Sequence, residues 1–108
     1  MKKLSLHISP CPNDTFAFDA NINNRIEHDF DLAVEYHDIE ELNCGVEACE
    51  PDISKISCAV LPAIKQYYRL LDSGAALGRG NGPLLVRRKG DEGAIRCILV
   101  PGEHTTAN

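Results

Sequence analysis

Leu4-Ser5-Leu6-His7-Ile8-Ser9-Pro10-Cys11-Pro12-Asn13-Asp14-Thr15-Phe16-Ala17-Phe18-Asp19-Ala20 holds a complete strand, turn and helix start, and it decides the fold class. Leu4, Leu6 and Ile8 alternate with Ser5 and His7, the period of a strand with one face on a core. Pro10 and Pro12 then forbid regular pairing, because proline has no N–H to give a ladder. Asn13 or Asp14 is placed to cap the helix that follows.

Outward from this unit the alternation recurs. Leu32, Val34 and Tyr36 predict a second strand, and Asp38-x-x-Glu41 predicts a helix opened by a capping box, with Ile39, Leu42, Val46 and Cys49 on one face and Asn43 off that stripe. Ile56-Ser57-Cys58-Ala59-Val60 is an apolar run suited to a buried strand. Pro62 fits the first turn of another helix, whose apolar face would be Ile64, Tyr67, Tyr68 and Leu71. Leu84-Leu85-Val86 and Cys97-Ile98-Leu99-Val100 read as further strands, and residues 101–106 as a strand-to-helix corner. Strand and helix signals in alternation predict an α/β fold with a mostly parallel sheet flanked by helices.

Bulk properties narrow the function. The 108 residues, 44% hydrophobic and 25% charged, suit one modest core. A net charge of −5 argues against nucleic acid and against an anionic membrane as partners, and Lys2-Lys3 and Arg87-Arg88-Lys89 read as solvated strand ends. Nothing approaches a spanning helix or a signal peptide, so a cytoplasmic location is expected. The five cysteines form no Cys-x-x-Cys pair, which predicts reduced thiols, several of them buried.

Ligands of open α/β sheets bind beyond the carboxyl ends of the strands. That rule selects residues 9–15, 38–43, 54–57 and 104–106, whose polar side chains either cap helices or meet a carboxylate or hydroxyl-rich ligand. Gly78-x-Gly80-x-Gly82 lacks the Gly-Lys-Ser/Thr ending of a phosphate loop and serves tight turning, with Arg79 a surface charge or an anion anchor. Cys11, before a helix, is a structural thiol or a nucleophile that has no histidine placed by sequence to activate it. His7, His28, His37 and His104 show neither i, i+4 spacing nor a His-Glu-x-x-His motif, so no metal site is expected; His104 caps or contacts ligand.

Ser9-Pro10-Cys11-Pro12-Asn13-Asp14-Thr15-Phe16, Asp38-x-Glu40-x-Leu42-Asn43, Ser54-Lys55-Ile56-Ser57, Ser73-Gly74-Ala75-Ala76-Leu77-Gly78-Arg79-Gly80-x-Gly82-Pro83-Leu84 and Pro101-Gly102-x-His104-Thr105-Thr106-Ala107 together resemble the 1,4-dihydroxy-6-naphthoate synthases of the futalosine pathway of menaquinone biosynthesis. The order of the motifs across nearly the whole chain carries the resemblance. His7 and Cys58 depart from it, standing where glycine and an aromatic residue are expected, and Asn81 interrupts the glycine run.

The resemblance implies a two-lobed, periplasmic-binding-protein-like (type II) fold. Residues 1–100 would be the first lobe and 101–108 the start of the hinge toward a second lobe, making this chain the N-terminal part of a longer enzyme. It implies a lyase that cleaves a carbon–carbon bond of cyclic dehypoxanthine futalosine to release 1,4-dihydroxy-6-naphthoate, with no metal and no organic cofactor. Asp14, Asn43, Ser57, Thr105 and Thr106 would contact the substrate. The catalytic base would be a histidine of the second lobe, so no catalytic residue is expected among residues 1–108 and the chain alone would be inactive, with self-association through the exposed cleft face. The alternatives are a non-catalytic small-molecule binding domain and an α/β domain whose strand-end polar residues are only caps. Under the first reading Asn43→Ala and Ser57→Ala lower turnover with little change in melting temperature.

Overall fold

The computed structural model describes residues 1–106; Ala107 and Asn108, the end of the expected hinge segment, lie outside the described residues. Its centre is a three-stranded parallel sheet in the order β2-β1-β3. Strand β1 runs Lys2–Ile8, helix α1 Pro12–Ile22, β2 Phe30–Tyr36, α2 Ile39–Glu47 and β3 Ile53–Ser54; a 3-10 turn at Cys58–Val60 leads into α3, Leu61–Ile64. The α/β class and the parallel sheet are therefore as the alternating pattern requires. Among the described residues no helix is long and apolar enough to cross a membrane.

Pairing of β1 with β2 runs in register from Lys2↔Phe30 to Ile8↔Tyr36, so Leu4, Leu6 and Ile8 face the same side as Leu32, Val34 and Tyr36. His37 N–H continues the ladder to Ile8 O at 3.0 Å. On the other edge β3 adds only Leu6↔Ile53 and His7↔Ser54, followed by Lys55 N–H to His7 O at 3.0 Å. Leu6 and Ile8 are fully buried. A second cluster joins Val46 of α2 to Val60 and Ile64, with Ile56, Leu61 and Tyr68 packed around it.

Several sequence expectations change. The third strand is not the run Ile56–Val60 but the preceding residues, because Asp52 is fixed against β1: its carboxylate accepts Ser5 N–H at 2.8 Å and Ser5 Oγ at 3.0 Å, and its own N–H bonds Ser5 Oγ at 2.8 Å. That clasp sets the register, and the chain has left the sheet by Ile56. Helix α1 is capped by Cys11 without a side-chain bond, Pro12 taking the first turn, while Asp14 turns back toward β1 rather than capping. The α2 capping box between Asp38 and Glu41 forms as expected. Past Ile64 the helix stops: Tyr68 stays docked through its hydroxyl on Pro51 O at 2.7 Å, but Tyr67 and Leu71 are exposed, and a helix with no surface to cover is not sustained.

Residues 69–101 are exposed throughout, and neither Leu84-Leu85-Val86 nor Cys97-Ile98-Leu99-Val100 pairs as a strand. The extension gives a radius of gyration of 16.9 Å, against about 13 Å for a compact chain of this length. All five cysteines are exposed, contrary to the expected burial; Cys49, placed on the α2 stripe by sequence, lies beyond the helix at φ 56°.

Candidate functional site

Strand order 2-1-3 places the switch point between β1 and β3, and ligands of open α/β sheets bind beyond the carboxyl ends of the strands at such a point. The segments that emerge there are residues 9–14 after β1 and residues 55–57 after β3, and their side chains meet. Asp14, 5% exposed, accepts Ser9 N–H at 3.0 Å and Ser9 Oγ–H at 2.7 Å on one oxygen, and Lys55 Nζ at 2.7 Å on the other. Ser9 Oγ in turn accepts Cys11 N–H at 3.3 Å. The turn built by two prolines is thus tied through a buried carboxylate to the far strand. Burial raises the Asp14 pKa, but the bonds from Lys55 and Ser9 outweigh it and hold the carboxyl below its ordinary value.

The second cluster centres on Asn43, which is fully buried. Its amide donates to Ser57 Oγ at 3.0 Å and to His104 O at 3.2 Å, and its oxygen accepts Ser57 N–H at 2.9 Å. One carboxamide therefore joins α2, the turn after β3 and the corner at residues 101–106. That corner is fastened once more, by Thr106, and braced within itself by Thr105. Thr106 Oγ1 accepts Ala59 N–H at 3.2 Å, and Thr105, buried, bonds Gly102 O through Oγ1 at 2.9 Å. Among the described residues no buried side-chain nitrogen or oxygen lacks a partner.

His104 ties the corner to α2 through its ring. Nδ1 is hydrogen-bonded to the Glu40 carboxylate, which also accepts His104 N–H at 3.1 Å, and Nε2 lies 3.2 Å from Glu47. Glu40 passes so close to Gly102 that a Cβ there would fall 2.9 Å from the Glu40 Cβ, which explains the glycine. The Glu40 hydrogen bond raises the His104 pKa, with Glu47 adding to it, and the same bond lowers that of Glu40. Cys44 Sγ is 4.0 Å from the imidazole, yet desolvation and then Glu40 and Glu47 push its thiol up, which removes it as an activated nucleophile.

These directions predict a pH window. Glu40 adds stability above the ordinary carboxyl value of 4.5 and loses it as pH falls through its lower folded value; His104 adds stability below 6.5 and loses it as pH rises through its higher folded value. Docking of residues 101–106 should be tightest between those limits. Melting temperature against pH checks this: the wild type should show a maximum that Glu40→Gln flattens.

The residues singled out by sequence thus fall into two groups, Asp14 in the first cluster and Asn43, Ser57, Thr105 and Thr106 in the second. Lys55, which joins Asp14, was within the selected segment 54–57 but not distinguished there, because the strand was expected after it and not before it. Ser9 was within a selected segment but not distinguished there.

Over residues 4–108 the chain matches the family described as menaquinone biosynthesis. It is 44% identical over 105 residues to the 1,4-dihydroxy-6-naphthoate synthase of Streptomyces coelicolor, an alignment covering 96% of this chain and 37% of that protein. The 1,4-dihydroxy-6-naphthoate synthase of Thermus thermophilus is 42% identical over 109 aligned positions, covering 99% of this chain and 40% of that protein. The chain therefore spans about two fifths of the length of the curated relatives it matches.

Proposed function

This chain belongs to the menaquinone biosynthesis family, and we propose that it is the substrate-holding first lobe of a 1,4-dihydroxy-6-naphthoate synthase. In this reading the whole enzyme is a cytoplasmic lyase of periplasmic-binding-protein-like (type II) architecture, which cleaves a carbon–carbon bond of cyclic dehypoxanthine futalosine. The observations that carry it are two hydrogen-bonded pairs, Asp14 with Lys55 and Asn43 with Ser57, in the segments that follow the strands, in a chain 42–44% identical to proteins of that name.

The role of this lobe is binding and orientation. The Lys55 side chain is about a third exposed and its ammonium gives one donor to Asp14, so it keeps donors for the carboxylate of a naphthoate-bearing ligand. Ser57 and Thr106 would offer hydroxyls to the same ligand, while Asn43 holds the Ser57 segment and Thr105 braces the corner at residues 101–106. Asp14 fixes the Lys55 ammonium. The base that removes a proton is a histidine of the second lobe, and His7, His28, His37 and His104 do not take that role. General acid–base assistance contributes roughly 10²–10⁴ in rate, so the lobe alone is inactive. Exposed Leu84, Leu85, Val86 and Leu99 support its self-association when the second lobe is absent.

Incubation of the 108-residue chain, and of the full-length protein carrying it, with cyclic dehypoxanthine futalosine tests this reading. The full-length protein should release 1,4-dihydroxy-6-naphthoate, the chain alone should not, and Ser57→Ala or Lys55→Met in the full-length protein should lower turnover at least tenfold. A full-length protein that binds the substrate without releasing naphthoate would leave a binding domain as the better description.

A further inference from the structure

We propose that His7, Glu35 and His37 form a site for a divalent transition metal of the zinc class, at the carboxyl end of the β1/β2 pair. Strand geometry brings the three together. His7 stands opposite Glu35 in the parallel register, and His37, two residues after Glu35, shares its face because side chains alternate along a strand. Nε2 of His7 lies 3.4 Å from Glu35 Oε2, and Nε2 of His37 lies 3.0 Å from the same oxygen. One donor atom from each residue falls within 4.8 Å of the others. Nitrogen and oxygen ligands at about 2.0–2.2 Å in a tetrahedral zinc site are about 3.3–3.6 Å apart, so small side-chain adjustments suffice.

The surroundings are those of a metal site rather than of a surface charge cluster. His7 is buried, and its Nδ1 faces Gly45 of α2, where a Cβ would come within 3.9 Å of it. His37 Nδ1 is 3.5 Å from Glu41 Oε2, the oxygen that also accepts Asp38 N–H at 3.2 Å in the capping box. A carboxylate on Nδ1 sets the tautomer that leaves Nε2 free to ligate and makes it more basic. Both imidazoles address one carboxylate oxygen, and a dication satisfies all three groups at once, its charge balanced by Glu35 and Glu41. With three protein ligands and Glu35 largely exposed, the fourth position opens to solvent. Sequence spacing concealed the site because its members lie on two strands. It is separate from the Asp14 and Asn43 clusters and does not rest on the function proposed above.

The Glu40, Cys44 and His104 group is the natural comparison, since it too brings three ligand types together. There the group offers one imidazole rather than two, with a thiol 4.0 Å from that ring in place of the second. Calorimetric titration of the 108-residue chain with Zn²⁺, and visible spectra with Co²⁺, distinguish the two. One Zn²⁺ should bind per chain with micromolar affinity and raise the melting temperature, with no binding of Mg²⁺ under the same conditions. Glu35→Gln and His37→Asn, both at accessible positions, should each weaken Zn²⁺ binding at least tenfold and abolish the thermal shift, whereas Cys44→Ser should leave both unchanged. Binding weaker than about millimolar, wild-type affinity in either variant, or loss in Cys44→Ser would overturn the site.

Discussion

Asn43→Ala is expected to lower the melting temperature of the chain by more than about 10 °C. The carboxamide is fully buried and makes hydrogen bonds to Ser57 Oγ, Ser57 N–H and His104 O. Truncation leaves the Ser57 N–H and the His104 carbonyl without partners in a part-buried setting, at about 1–3 kcal/mol for each unsatisfied group, and it opens a void in place of the amide. A total near 3 kcal/mol, at roughly 4–8 °C per kcal/mol for a domain of this size, gives the stated shift. From sequence both variants are expected to lower turnover with the melting temperature nearly unchanged; the three hydrogen bonds of Asn43 predict instead a large loss of stability for Asn43→Ala and a smaller one for Ser57→Ala. Ser57→Ala removes one hydroxyl and keeps the backbone bond to Asn43, so it should cost about 1 kcal/mol. Thermal unfolding of the two variants side by side checks this, and an Asn43→Ala transition within about 3 °C of wild type would show that the corner at residues 101–106 is held by other means.

What the sequence discloses is what local physics governs. Strand β1, strand β2 and the Asp38–Glu41 capping box are each written within a few neighbouring residues, as alternation or as a cap, and each is present. Strand β3 is not written that way. Its two residues hold their register through the Ser5–Asp52 clasp, whose members are 47 residues apart, whereas the more apolar run after it is drawn off by Asn43 into a 3-10 turn. Apolar content alone does not make a strand; an available edge does. The runs at 84–86 and 97–100 show the same lesson from the other side, being strand-like in composition and unpaired.

The candidate site divides in the same way. Rules about strand ends selected residues 9–15, 38–43 and 54–57, and the family resemblance chose Asp14, Asn43 and Ser57 within them, without any partner being visible. Asn43 reaches His104 across 61 residues and Asp14 reaches Lys55 across 41, separations over which no spacing rule operates. Partners decide roles: a carboxylate whose two oxygens are occupied by Ser9 and Lys55 positions other groups, while the ammonium it holds is the group turned outward. Glu40 was part of a recognised motif, yet its work on His104 and its passage beside Gly102 follow only from the fold.

Asp14→Ala should destabilise the chain by about 2–4 kcal/mol and remove its share of the stability change on acidification, the rest staying with Glu40 and Asp52. Removal of one partner from a buried ion pair leaves the other uncompensated, at about 3–5 kcal/mol when both are deeply buried. Lys55 is about a third exposed and can rehydrate, which reduces that cost, but Ser9 is 7% exposed and its N–H and hydroxyl would lose their acceptor. The wild-type pH dependence follows from the direction of the Asp14 shift. Burial alone would raise its pKa, Lys55 and Ser9 reverse the sign, and the folded value lies below the ordinary 3.8. Such a group contributes stability above its unfolded pKa and loses it as pH falls through the folded one, so the wild type should weaken below about pH 4 and the variant less. Lys55→Met in the same background separates the pair from its surroundings. If the carboxylate serves mainly to hold the ammonium, the double variant should be only slightly less stable than Asp14→Ala; if Ser9 is the dominant partner, the two losses should add. Melting curves of the four proteins at neutral and acid pH measure both, and equal acid sensitivity in wild type and Asp14→Ala would remove Asp14 from its place at the junction of β1, α1 and β3.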